Sequence, residues 1–322
     1  MTPHAGIKTS VRGVAANAEA SLVGGTFAKR FQDADFRGEV IFVGSKGAYI
    51  ETHRSELLGL GRLDQAAHSR MVLSGLDLGM LHAGMAVRAE GSNLVIGDSI
   101  ALELVGALVW EPESVTPEMV QPLAEVKARF LETLDMAAVL QDGVNLGCAI
   151  PMIGNVAKRG FSAEFKPTGS PFLDDALMSI SRVLPLSVKG DLDGAISEAM
   201  PLIGSGPGLT PSGDDYVGGL LFAAYHLTTA YPSSFQWDAA CMERLLAYAQ
   251  DRTTRISFAA LQDLASGQGH EPLHTVMKQL LTGEMQSESM AGISAATRIG
   301  STSGWDMLAG LLTGMLLVYS KN

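Results

Sequence analysis

The spacing of hydrophobic and polar positions changes once along the chain. From Phe27 to about Trp110 the apolar runs are short and broken by tight-turn residues. Val40-Ile41-Phe42-Val43 meets Gly44-Ser45-Lys46-Gly47 and then Ala48-Tyr49-Ile50, which is the signature of a hairpin. Met85-Ala86-Val87-Arg88-Ala89, Asn93-Leu94-Val95-Ile96 and Ser99-Ile100-Ala101-Leu102-Glu103-Leu104 follow one another across Glu90-Gly91-Ser92 and Gly97-Asp98. Short strands at near-regular spacing predict an antiparallel β barrel or sandwich over residues 1–112.

Beyond Glu111-Pro112-Glu113-Ser114-Val115-Thr116-Pro117 the period becomes helical. Thr116 as N-cap and Pro117 in the first helical position are a start signal, and Met119, Leu123, Val126, Phe130, Leu134 and Ala137 make one apolar face. Helices are expected over Leu173 to Val183, Leu192 to Met200, Val217 to Leu227, Trp237 to Ala249, Thr253 to Ala265 and Met307 to Tyr319. The glycine-rich stretch from Gly143 to Gly169 gives no clear assignment. The fold class is therefore α+β: the β domain at 1–112, then a mostly helical domain at 113–322.

One stretch departs from ordinary patterning. Gly204-Ser205-Gly206-Pro207-Gly208-Leu209-Thr210-Pro211-Ser212-Gly213-Asp214-Asp215 concentrates glycine and proline, then runs straight into an apolar helix. Such a backbone turns several N–H groups toward one point, and the helix N-terminus adds unpaired donors and partial positive charge. That arrangement suits a small anion. Gly208 and Gly213 have the spacing of a nucleotide-binding phosphate loop, but Asp214 stands where that loop carries its lysine, and a carboxylate there repels phosphate. What remains is a smaller anion or amide held by N–H groups and the Thr210 and Ser212 hydroxyls, with Asp214 or Asp215 accepting from an amine or holding a cation. The plain alternative is that Ser212 or Asp214 caps the helix.

The motif has a second copy. Ser303-Gly304-Trp305-Asp306 aligns with Ser212-Gly213-Asp214-Asp215, and each is followed by glycine and paired leucines. Two such helix starts, packed through small residues, would bring Asp215 and Asp306 face to face. Asp251-Arg252-Thr253-Thr254-Arg255-Ile256-Ser257 could close the pocket with positive charge, because arginine matches planar carboxylates; a solvated helix end capped by threonine explains it equally well.

Composition narrows the class. The chain has 322 residues, 47% hydrophobic and 18% charged, with a net charge of -11 and no basic cluster. This reads as a soluble globular protein and argues against nucleic acid or an anionic membrane as partner. Cys148 and Cys241 are too few for a disulfide framework and have no metal spacing, the N-terminus through Gly13 lacks a signal-peptide core, and Met307 to Tyr319 is too short to span a bilayer, so a cytoplasmic location is expected. His270-Glu271-Pro272-Leu273-His274 has the letters of a zinc motif, but Pro272 belongs to the first turn of a helix, so the histidines cannot project from regular helix as that motif requires. A helix start near Pro272 is expected instead.

The Leu209-Thr210-Pro211-Ser212-Gly213-Asp214-Asp215 string, the Ser303-Gly304-Trp305-Asp306 helix start and Ala107-Leu108-Val109-Trp110-Glu111-Pro112 together resemble the AllH family, over about Phe27 to Leu317. That family includes a subunit of oxamate carbamoyltransferase of allantoin catabolism, a branch of purine degradation. The resemblance implies a multisubunit complex with FdrA-like and AllG-like partners, acting on carbamoyl phosphate or oxamate. For such a transfer our reading of the residues makes Gly206 and Gly208 to Gly213 the cradle, Thr210 and Ser212 the orienting hydroxyls, and Asp214, Asp215 and Asp306 the amide or cation contacts and candidate catalytic groups, with Ser303 and Gly304 as further substrate contacts and Arg252 or Arg255 as the carboxylate clamp. No cofactor is firmly implied; a divalent cation at the Asp cluster is the variant that would make the protein a metal-dependent amide hydrolase. A non-catalytic binding or assembly subunit is the other alternative.

Overall fold

The structure is a computed structural model that describes residues 16–141, 145–160, 167–283 and 286–321. The chain divides into two compact units between Glu111 and Pro112. The N-terminus through Gly13 and part of the Gly143 to Gly169 stretch lie outside the described residues.

The first unit contains β1 (Ala16–Gly24), α1 (Gly25–Phe31), β2 (Arg37–Val43), β3 (Gly47–Thr52), β4 (Leu57–Arg62), β5 (Met71–Ser74), β6 (Ala86–Glu90), β7 (Asn93–Ile96), β8 (Ile100–Glu103) and β9 (Leu108–Trp110). The expected turns form: Gly44 N–H donates to the Gly47 carbonyl at 2.8 Å, and Gly91 and Gly97 bend the β6–β7–β8 meander at positive φ, which glycine adopts without Cβ strain. Strand order is β5-β4-β3-β2-β6-β7-β8-β1, with β1 also pairing β5, so eight strands close into a barrel. β9 adds to β1. The barrel is mixed where the sequence predicted an antiparallel sheet: β1 runs parallel to β8 and β9, and β4 parallel to β5. Local hairpin patterning does not see the long-range closure made by β1, and Phe27 belongs to α1, not to a strand. Val40, Ile50, Leu60, Leu94, Ile96 and Leu102 fill the core.

The second unit contains α2 (Leu123–Leu140), a 3-10 turn (Asn145–Ala149), α3 (Ile150–Arg159), α4 (Pro171–Lys189), α5 (Leu192–Ala199), α6 (Ser212–Ala230), α7 (Ala239–Ala249), α8 (Arg255–Ala265), α9 (Glu271–Thr282), α10 (Gln286–Ala296) and α11 (Ser303–Met315). Helix α2 starts six residues later than Thr116-Pro117 suggested, after Pro122. The ring of Pro122 disfavours helical backbone at Gln121, which delays the start. The expected face of α2 is otherwise buried at Val126, Phe130, Leu134 and Ala137.

Helices α6 and α11 form the centre of this unit, buried along nearly their whole length. Their backbones meet through glycine. A methyl group on Gly219 would overlap the Met307 carbonyl, and one on Gly310 would overlap that of Tyr216. The fully buried Tyr216 hydroxyl donates to Thr313 Oγ1 at 2.9 Å, tying the second turn of α6 to the last turn of α11. In α9, Pro272 does lie in the first turn, and His274 Nε2 accepts the Gly269 N–H at 3.1 Å. Burial pushes that imidazole down to about 3, as expected of a structural histidine.

Candidate functional site

The glycine-rich loop folds as its composition requires. Gly204, Gly206 and Gly208 have φ of 77, 112 and 98°, a region that side chains disfavour. Gly213 then seats the start of α6 against the Leu202 carbonyl, where a Cβ would not fit. Gly304 seats α11 in the same way against the Ala296 carbonyl.

The two helix starts share the bonds of their first turn. Gly213 N–H donates to the Ser205 carbonyl at 2.9 Å, and Asp214 and Asp215 N–H both donate to Pro211. Correspondingly, Gly304 N–H donates to the Ile299 carbonyl at 3.0 Å, and Trp305 and Asp306 N–H both donate to Thr302. Pro211 and Thr302 occupy the N-cap positions, and neither contributes a capping side chain. Ser212 and Asp214 are therefore not caps of α6.

The serines cross over between the helices. The Ser303 hydroxyl of α11 hydrogen-bonds Asp215 of α6, together with Thr210, while the Ser212 hydroxyl of α6 faces Asp306 of α11. Thr210 Oγ1 and Ser303 Oγ lie 3.0 Å apart. Asp306 Oδ1 accepts the Leu146 N–H at 2.8 Å, and Asn145 Nδ2 donates to Ser212 Oγ at 3.1 Å. Asp215 is 4% exposed and Asp306 0%, and Oδ2 of each has no hydrogen-bond partner. Native proteins rarely leave such atoms unsatisfied, since each costs on the order of 1–3 kcal/mol.

Electrostatics follow from this burial. Desolvation raises Asp215 well above the usual carboxylate range, and the charges of Asp306 and Asp214 push it further, against the opposing hydroxyls of Ser303 and Thr210. Asp306 is lifted to about 6, chiefly by burial, with the Leu146 N–H and the Ser212 and Asn145 side chains pulling it back. Cys148, on the same 3-10 turn, is raised to about 11 by burial and by the Asp306 charge; it is a thiol, not a nucleophilic thiolate.

The other candidates separate. Asp214 turns away from this pair: Oδ1 accepts the Gly204 N–H at 2.7 Å, and Oδ2 accepts from Ser257 Oγ at 2.7 Å and from Thr253 Oγ1. It ties the loop to the start of α8. Thr254 caps α8 through the Ser257 N–H, and its hydroxyl donates to the Leu209 carbonyl. Arg252 folds back, its guanidinium 3.9 Å from the centre of the Tyr248 ring and donating to the Tyr248 carbonyl, while Arg255 is exposed at the first position of α8. Asn145 and Leu146 are the contributors that sequence reasoning missed. Asn145 has φ 45°, which asparagine tolerates better than most residues, so Asn145-Leu146-Gly147 was the available turn signal. Among the described residues no group of three or more His, Cys, Asp or Glu is arranged to hold a metal ion, and no helix is long and apolar enough to cross a membrane.

Fold and site together define a β barrel joined to a helical unit whose two central helices start from duplicate Ser-Gly-x-Asp turns. Residues 202–315, which include both turns, match the family model described as oxamate carbamoyltransferase subunit AllH, so this part of the chain is similar to that family. The match is narrower than the Phe27 to Leu317 span of the resemblance and lies wholly within the helical unit. No solved structure matches the chain.

Proposed function

We propose that the chain is a subunit of an oxamate carbamoyltransferase-like complex and binds a small anionic carbamoyl or amide ligand where the glycine-rich loop meets the starts of α6 and α11. The observation that carries this reading is the crossed Ser303–Asp215 and Ser212–Asp306 arrangement with an unpartnered Oδ2 on each acid. In carbamoyl transfer an oxyanion develops on the carbamoyl carbon and phosphate departs, and preorganised donors lower that barrier. The loop from Gly206 to Ser212 would supply such donors, Thr210, Ser212 and Ser303 would orient the ligand, and Asp215 and Asp306 would take its amide. Asp214 is assigned to holding the loop. Arg252 is turned onto Tyr248, so a carboxylate clamp would need its guanidinium to swing away.

The test is carbamoyl transfer in the complex reconstituted with FdrA-like and AllG-like subunits. Asp306→Asn is expected to cut turnover at least about tenfold, roughly 1.4 kcal/mol of transition-state stabilisation, without changing assembly. Unchanged turnover would favour a purely assembling subunit and overturn the site.

A further inference from the structure

Asp215 and Asp306 raise a question of proton inventory that the proposed function leaves open. Both carboxyl groups are nine-tenths or more buried, both belong to helices held together by glycine contacts, and each keeps one oxygen without a hydrogen-bond partner. Two carboxylates sharing a water-poor site repel one another, so the pair holds a proton across the pH range in which isolated acids are ionised.

Geometry decides which acid keeps it. Asp306 has the better anion environment: the Leu146 main-chain N–H on Oδ1, with the Ser212 hydroxyl and the Asn145 amide close by. Asp215 meets instead the hydroxyls of Ser303 and Thr210, and hydroxyls can accept a hydrogen bond as readily as donate one. The other titratable groups near the pair are Asp214, which adds negative charge beside Asp215, and Cys148, a neutral thiol facing Asp306.

We infer that Asp215 stays a neutral carboxylic acid beside an ionised Asp306, and that this donor–acceptor pair recognises the –CO–NH2 end of a primary carboxamide. The acid O–H donates to the amide carbonyl, and the carboxylate accepts an amide N–H. The two unpartnered oxygens are the atoms such a head group would satisfy. Thr210 and Ser303, whose hydroxyls lie 3.0 Å apart beside Asp215, are both only half-buried. This rests on the proposed function for the location of the site and its amide ligand, and adds which acid carries the proton and why a neutral amide end is selected over a second carboxylate.

Two measurements on the full chain test it. At about pH 7.5 ordinary carboxyl groups are ionised, so an infrared carbonyl band of a protonated acid reports a buried one. The band is expected in the wild type, is retained in Asp306→Asn and is lost in Asp215→Asn. Calorimetric titration with oxamate and with oxalate is expected to show at least about tenfold preference for oxamate, or roughly 1.4 kcal/mol. Asp306→Asn should erase that preference, while Asp215→Asn, which keeps an N–H donor, should hold oxamate affinity within about threefold. The infrared arm needs no ligand, so a missing wild-type band overturns the shared proton even if oxamate binds and the complex turns over. A band without preference for oxamate overturns the amide assignment. If Asp215→Asn does not fold, the wild-type band and its persistence in Asp306→Asn decide.

Discussion

At the scale of single residues, the site is made of side chains held at a cost to the fold. Asp306 shows this most directly, because its folded-state carboxyl is raised from 3.8 to about 6. The folded chain thus prefers the protonated form. Stability from this group is fully present below about pH 4, is lost as pH rises toward 6, and stays lost above it. A shift of about two units corresponds to on the order of 2–3 kcal/mol. Asp306→Asn removes the ionisation while keeping a carbonyl oxygen for the Leu146 N–H. Thermal unfolding is expected to find the variant more stable than wild type at neutral pH, with the difference closing toward pH 4. A variant less stable than wild type at neutral pH would mean that the ionised carboxylate is favoured by something other than these neighbours. Asp214 has a different part: it is buried too, and its hydrogen bonds from Gly204, Ser257 and Thr253 make it a strut of the loop.

At the scale of elements, the decisive feature is the glycine contact between α6 and α11. Gly219 and Gly310 each face backbone of the opposite helix, so Gly310→Ala cannot be absorbed by rotating a side chain; the helices must move apart. Overpacking of this kind costs about 1–3 kcal/mol, and the loss should appear as a lower midpoint in urea with an unchanged slope. Gly208→Ala is the useful contrast, since no atom lies within 4 Å of its Cβ position and only its positive φ opposes the change. Both central helices were legible in the sequence because the Ser-Gly-x-Asp repeat fixes a start and the spaced glycines fix a face. What the repeat could not reveal was the crossing of Ser212 and Ser303 to each other's aspartate, which depends on helix orientation, or the arrival of Asn145 and Leu146 from a stretch without periodicity. Arginine at a helix start suggested a clamp, but Tyr248 one turn earlier offers Arg252 a nearer partner. In the barrel, hairpins were readable from local turn chemistry, whereas the parallel pairings of β1 join residues some eighty positions apart and leave no local trace.

At the scale of the whole molecule, charge and site pull in opposite directions. The chain carries a net charge of -11, and the acids at the proposed site add local negative potential, yet the proposed ligands are anions. Long-range attraction therefore does not deliver the ligand, and capture depends on short-range N–H and hydroxyl donors. That has a measurable consequence with a definite sign. For a basic site, salt screens attraction and weakens anion binding; here salt screens repulsion. Raising ionic strength from about 0.01 M to about 0.15 M shortens the Debye length from about 30 Å to about 8 Å, so oxamate association with the full chain should quicken or stay level while dissociation changes little. The concentration dependence of ligand-observed relaxation across that salt range separates the two rates. A steep fall in association with salt would mean that a cationic group, Arg252 or Arg255 released from its present position, faces the incoming anion and dominates its capture, and the assignment of recognition to the loop and the two helix starts would then have to give way.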